Sequence, residues 1–215
     1  MGETARPSGD RELIRSPAGI VLTAATTPAG DLAAFVERHL ASPPARVLEV
    51  GCGRGELARA IGRLGHSVVA SRSLHHIADL GRALDKIARL LRAGGVVIVN
   101  EHAWDRLDEP TARWYLAKRA AAEPVTSTSL NHCLAEWERD HAGLHGYAAM
   151  RRELDRRFRA RFFAWTPYLY GELAGAADED EERSLIEAGA IQATGFRYVG
   201  ELPGRPTRAR PLPAS

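Results

Sequence analysis

The feature that most limits how this chain can fold is a short β-branched run, Arg46-Val-Leu-Glu-Val50, that stops on Gly51-Cys52-Gly53-Arg54-Gly55. Glycines at alternate positions let the backbone take turns and close approaches that a side chain forbids. Where such a loop opens a helix, its N–H groups face whatever lies above the sheet edge. The pattern predicts a strand ending at Val50 and a helix over 56–64, with Leu57, Ala60, Ile61 and Leu64 on one face and Gly65 as its stop.

The alternation continues downstream. A second strand is predicted at Ser67-Val-Val-Ala70, and Ile77, Leu80, Leu84, Ile87 and Leu91 follow at helical intervals. Ala93-Gly94-Gly95 is expected to break that helix, and Val96-Val-Ile-Val99 reads as a strand buried on both faces. Strand, helix, strand, helix, strand implies an α/β fold with a Rossmann-like, mainly parallel sheet. Upstream, residues 1–30 read as an arm. Asp31 then caps a helix with Leu32, Phe35, Val36 and Leu40 on one face, ended by Ser42-Pro43-Pro44.

Beyond residue 100 the character changes. Helices are predicted from Asp108-Glu109-Pro110, around Leu130 to Trp137 and from Tyr147 to Phe158, forming a helical cap over about 108–158. Arg161 to Trp165 and Gly195 to Val199 read as a closing strand pair, and the acidic run from Asp178 to Glu182 starts a helix ending near Ala190. The domain thus spans 31–203, with 204–215 as a tail.

Composition excludes several classes. The net charge is +2, from 29 basic and 27 acidic residues, which gives no electrostatic footprint for nucleic acid. The densest basic stretch, Arg151 to Arg161, has interleaved acids and is expected to be a solvated helix face. No run approaches the roughly 18 apolar residues of a membrane span, and no signal for export is visible. Cys52 and Cys133 point to no disulfide framework, and a cytoplasmic location is the default expectation. The oligomeric state is not legible.

The glycine loop narrows the ligand. A nicotinamide fingerprint needs its third glycine one position later, where Glu56 stands, so an oxidoreductase is the weaker alternative; a phosphate loop lacks its Gly-Lys-Ser/Thr. Val47-Leu-Glu-Val-Gly-Cys-Gly-Arg-Gly55 resembles the first motif of the class I S-adenosylmethionine-dependent methyltransferases. Val68-Val-Ala-Ser71-Arg72-Ser-Leu74-His75-His76-Ile resembles the family's fourth strand and following loop, and Leu90 to Val99 its next helix end, turn and fifth strand.

The resemblance implies S-adenosyl-L-methionine as cofactor and methyl transfer to a small-molecule acceptor. It implies that Glu49 takes the cofactor amine, that Gly51, Cys52, Gly53 and Gly55 allow its close approach, and that Ser71, Arg72 and Leu74 lie beside it. His75 is then the candidate base. The family also carries an acid on a second strand for the ribose, yet no Asp or Glu occurs from Leu57 through Ala78. The chain is short by one strand-helix-strand unit, and a degenerate, non-catalytic domain with a binding or assembly role is the alternative. His141 and His145, with Glu138 nearby, have metal-ligand spacing, but Gly143 and Gly146 weaken the helix that ligation needs. Phe35 is the only Phe, Trp or Tyr before residue 100; Trp104, Trp114, Trp137, Tyr147, Phe163, Trp165, Tyr168 and Tyr170 either wall an acceptor pocket or form the core of the cap.

Overall fold

The computed structural model describes residues 15–16, 19–20, 35–36, 38–39, 47–50, 65–122 and 129–203. Strands β1 (Arg15–Ser16) and β2 (Gly19–Ile20) pair antiparallel within the amino-terminal arm. The main sheet has the order β3-β4-β5-β7-β6. Strand β3 is Val47–Val50 and β4 is Gly65–Ser71, and these pair parallel with Val47 opposite Ser67. Strand β4 also pairs parallel with β5, Leu91–His102. The closing strands β6 (Arg159–Thr166) and β7 (Gly195–Glu201) are antiparallel to each other, and β7 is antiparallel to β5. The fold is therefore the expected α/β, Rossmann-like and mainly parallel sheet, finished by an antiparallel carboxy-terminal pair.

This order settles where the second predicted strand goes. Strand β4 lies directly beside β3, the place the resemblance gives to the fourth strand of the family. Residues 51–64 between the two strands are too few for a strand-helix-strand unit of roughly 30 residues.

Between β4 and β5 runs α1, Leu80–Leu90. Asp79 caps it by accepting the Arg82 N–H at 2.9 Å, and Leu80, Leu84 and Ile87 are buried along one face, as their spacing requires. The helix ends earlier than Ala93-Gly94-Gly95 suggested. Leu91 is already extended (φ −72°, ψ 141°), so the Gly pair belongs to β5 as an irregularity between the Leu91–Gly65 and Val96–Ser67 pairings. Strand β5 also runs three residues past Val99, through buried Asn100, Glu101 and His102. Polar residues hid this extension from a reading based on apolar runs.

Both faces of β5 are covered. On one side Val97 and Val99 meet Leu84 and Ile87 of α1 and Phe196 and Tyr198 of β7; on the other, Val96 and Ile98 meet Phe35 and Val36, which are helical. Helices α2 (Glu109–Ala122) and α3 (Leu130–Asp140) build a separate cluster around Tyr115, Cys133 and Trp137, while α4 (Tyr147–Asp155) lays Met150 and Leu154 into the sheet core. Asp108 starts α2 by accepting the Thr111 N–H at 3.0 Å. Helix α5 (Glu179–Glu187) is capped by Asp178, which accepts the Glu181 N–H at 2.8 Å.

The basic stretch is not one helix face. It divides into α4, a turn whose Phe158 is buried in the sheet core, and the start of β6. Its charges are paired: Arg157 reaches Asp85 and Glu153 at 2.7 Å each, and Arg161 reaches Glu201 at 2.9 Å.

Gly195 begins β7 where a Cβ would lie 2.9 Å from both the Thr166 and Pro167 carbonyl oxygens. Backbone atoms cannot swing aside as a side chain does. Gly195→Ala is expected to destabilise the fold by about 1 to 2 kcal/mol in urea unfolding; an unchanged midpoint would show that this corner relaxes freely.

Candidate functional site

In an open α/β sheet, ligands bind outside the carboxyl ends of the strands. Here the ends of β3, β4 and β5 lie side by side. Glu49 sits one residue before the end of β3, opposite Val69 of β4. The loop residues Gly51, Cys52, Gly53 and Gly55, and the predicted helix after them, lie outside the described residues.

At the end of β4, the Ser71 hydroxyl accepts from Asn100 Nδ2 at 3.4 Å. Arg72 then takes a left-handed conformation (φ 51°), uncommon for a non-glycine residue, and its N–H donates to the Asn100 carbonyl at 2.9 Å. Its guanidinium sits 4.7 Å from the centre of the Tyr168 ring and 3.9 Å from the Glu172 carboxylate. The chain enters a 3-10 turn at Leu74–His76. The Leu74 side chain, which the resemblance put beside the cofactor, is fully buried in the sheet core with Leu80 and Leu84. Only its backbone N–H faces the site, and Glu101 takes it.

Glu101 is the feature that sequence reasoning missed. Its carboxylate is 1% exposed on β5. Oε1 accepts the N–H groups of Ser73 at 2.5 Å and Leu74 at 2.7 Å, and Oε2 lies 2.6 Å from His75 Nδ1. His75 is itself 5% exposed. The available signal was polar: Asn100-Glu101-His102 directly after an apolar strand, at the sheet edge where ligands bind.

A second buried glutamate repeats the device. Glu182 of α5 is fully buried and accepts the N–H groups of Tyr168 at 2.9 Å, Leu169 at 3.2 Å and Tyr170 at 2.7 Å. It thereby fixes the 3-10 turn Leu169–Glu172 and the Tyr168 ring before it. Burial holds this carboxyl above its ordinary range, against the pull of the three N–H donors.

Tyr168 stacks on His102, with ring centres 4.0 Å apart and planes within 6°. His102 is 2% exposed, and its Nε2 has no hydrogen-bond partner. Burial, with His141, His75, Arg72 and His76 nearby, holds it well below the ordinary histidine range, so it is neutral at neutral pH. His76 is lowered too, by burial and by His75. A cleft of about 20 Å³ opens among Arg72, Asn100, Tyr168, Tyr170 and Arg197, which is room for about one water molecule.

Most of the aromatic residues of the cap and the closing strands fall into two packed groups, apart from the Phe35–Phe162 ring pair and the Tyr168–His102 stack. Trp137, at 8% exposure, lies in the α2–α3 cluster with Tyr115, and Trp104, Trp114 and Tyr170 pack against it. Tyr147, Phe163 and Trp165 contact one another and Phe196 against the sheet. The cap-core reading therefore fits the first group. His141 Nδ1 lies 2.7 Å from the Trp137 carbonyl and His145 Nε2 2.9 Å from the Ile77 carbonyl. Among the described residues no group of His, Cys, Asp and Glu is arranged to hold a metal, and no helix is long and apolar enough to cross a membrane.

Comparison with known proteins gives one family match: residues 66–99 match a methyltransferase domain. No curated protein matches the chain. Among solved structures, an S-adenosylmethionine-dependent methyltransferase from Mesorhizobium loti is 12% identical, over 81% of this chain and 98% of that one, with a TM-score of 0.47. Geranyl diphosphate C-methyltransferase from Streptomyces coelicolor A3(2), in complex with magnesium, geranyl diphosphate and S-adenosyl-L-homocysteine, is 17% identical over 82% and 79%, at 0.43. The N-methyltransferase NodS from Bradyrhizobium japonicum WM9 is 12% identical, with 66% of this chain spanning 48% of that protein, at 0.35. The family match begins one residue into β4 and ends three residues before the end of β5, so it spans Ser71, Arg72, Leu74 and His75 and stops short of Glu101.

Proposed function

We propose that the protein transfers a methyl group from S-adenosyl-L-methionine to a small-molecule acceptor. The observation that carries this reading is the coincidence of the methyltransferase-domain match with a parallel β3-β4-β5 edge at which the glycine-loop strand, Ser71, Arg72 and His75 converge. When bound, the cofactor supplies a methyl group on a sulfonium that already carries the driving charge, so the protein mainly has to orient, exclude water and manage a proton.

In this reading Glu49 holds the cofactor amine, and Gly51, Cys52, Gly53 and Gly55 give it a close backbone approach. Ser71 and Arg72 border it at the end of β4. His75 takes the proton from the acceptor hydroxyl or amine. On the resemblance, the chain carries the residue types for the methionine end of the cofactor and lacks the one for the ribose end. The family's ribose acid has no counterpart between Leu57 and Ala78. A charge-assisted hydrogen bond is worth about 1.5 to 3 kcal/mol, so the affinity is expected to be about tenfold or more weaker than with the acid present.

The same gap supports a second reading, a degenerate domain that binds or assembles without catalysis, because β4 pairs directly with β3 and no ribose acid stands between Leu57 and Ala78. Calorimetric titration with S-adenosylmethionine, S-adenosylhomocysteine and NAD separates the readings. Heat with the two sulfur compounds is expected, and Gly53→Val is expected to abolish it by filling the space the cofactor needs. Silence with both at about millimolar concentration, which is a binding free energy of only about 4 kcal/mol, would sink the methyltransferase proposal. Heat with NAD alone would favour an oxidoreductase.

A further inference from the structure

A buried carboxylate is tolerated only when its lone pairs are filled, and Glu101 fills them in a way that dictates the chemistry of its neighbour. Oε1 is occupied by the Ser73 and Leu74 N–H groups, which leaves Oε2 for His75 Nδ1 at 2.6 Å. An ionised carboxylate only accepts, so Nδ1 must be the donor, and in the neutral ring the lone pair then sits on Nε2. We propose that Glu101 is a positioning residue: it fixes His75 as the Nδ1–H tautomer and so presents Nε2 as the base for the acceptor proton.

The inference rests on the proposed methyl transfer for its use, but not for its geometry. The His75 carbonyl accepts the His145 N–H at 3.0 Å, so the backbone behind the ring is held as well. The ring has its centre 4.1 Å from that of His76 on its own turn and 6.1 Å from that of His102 on β5. Among the described residues, other charged or titratable groups near this cluster include Arg72 after β4, His141 after α3, Tyr168 and Glu172. The proton leaving the acceptor passes to Nε2, the resulting imidazolium lies against the Glu101 carboxylate, and water takes the proton afterwards.

The rival role for Glu101 is purely structural, as a clasp for the 3-10 turn. Glu101→Gln separates the two because an amide has one oxygen and one NH2. With the oxygen kept by the two backbone N–H groups, the NH2 meets Nδ1, which must now accept, and the ring proton moves to Nε2. A mere clasp would leave the tautomer unmoved.

The experiment is long-range proton–nitrogen correlation NMR on the labelled protein over a pH series, read on the alkaline side where the ring nitrogen signals no longer change, without cofactor. The wild type is expected to show His75 as Nδ1–H and the variant as Nε2–H. With S-adenosylmethionine and an acceptor, kcat is expected to fall about 100-fold or more while the cofactor KM stays within about twofold. A wild-type Nε2–H tautomer overturns the inference, and that spectrum decides even if the variant does not fold. An unmoved tautomer in the variant, or a moved tautomer with unchanged kcat, also overturns it. An Nδ1–H wild type and an Nε2–H variant, with no methyl transfer by the wild type, would uphold the pairing while removing the proposed function.

Discussion

Replacing Glu182 by alanine is expected to cost about 3 to 5 kcal/mol of folding stability, a loss read as a lower urea midpoint. The side chain is fully buried and is the acceptor for three consecutive backbone N–H groups at 168, 169 and 170. Hydrogen bonds to a charged group contribute about 1.5 to 3 kcal/mol each, and donors left without partners also pay for desolvation. Leu169 is fully buried, so no water replaces the lost oxygen there without opening the α2–α3 cluster to which it belongs. The loss extends to the site, because Tyr168 is the ring stacked on His102. A midpoint change equivalent to less than about 1 kcal/mol, the range of an ordinary surface substitution, would show that the turn holds itself.

Acid is expected to destabilise the protein through His102, and His102→Phe is expected to remove that part of the effect. Burial lowers the folded-state pKa of His102 well below 6.5. Between those two values the unfolded chain binds a proton that the folded chain refuses, so stability falls as pH drops below about 6.5, with a slope approaching about 1.4 kcal/mol per pH unit for one group. Above that window the contribution is complete. His141, His75, Arg72 and His76 all face the ring, so protonating any of the histidines only raises the cost of charging His102. Phenylalanine keeps a ring to stack on Tyr168 and removes the unpartnered Nε2. Urea midpoints for both proteins on either side of pH 6.5 test this, and parallel curves would place the acid sensitivity elsewhere.

Apolar periodicity made much of the fold legible. Helix α1 lies where Leu80, Leu84 and Ile87 put it, and the runs at Val68 and Val96 became paired parallel strands. Caps were equally readable, since Asp108 and Asp178 sit at the starts their chemistry favours. The error at β5 has a plain physical origin, which is that hydropathy marks where a strand is buried by apolar neighbours but not where it continues with polar side chains inside. Strand β5 was therefore cut short at Val99, and Glu101 and His102 were lost with the remainder. His75 was singled out, yet what acts on it comes from a residue 26 positions away in sequence. Glu182 stood in plain view as one of five acids, but nothing in an acidic run says which member turns inward.

The strand order also governs how the sheet is assembled. Strands β3, β4 and β5 are successive in the chain, so their pairings close short loops, whereas β7 inserts between β5 and β6 from the far end of the described chain. Val96 pairs with Glu201, and Ile98 with Val199, across most of the carboxy-terminal half of the chain. Until they pair, one side of an apolar strand has unpaired N–H and C=O groups, a template for pairing with another chain. Closing such a non-local pairing is the step expected to be slow and aggregation-exposed in folding. A chain cut short before Gly195 leaves β5 as an open sticky edge rather than a smaller stable domain.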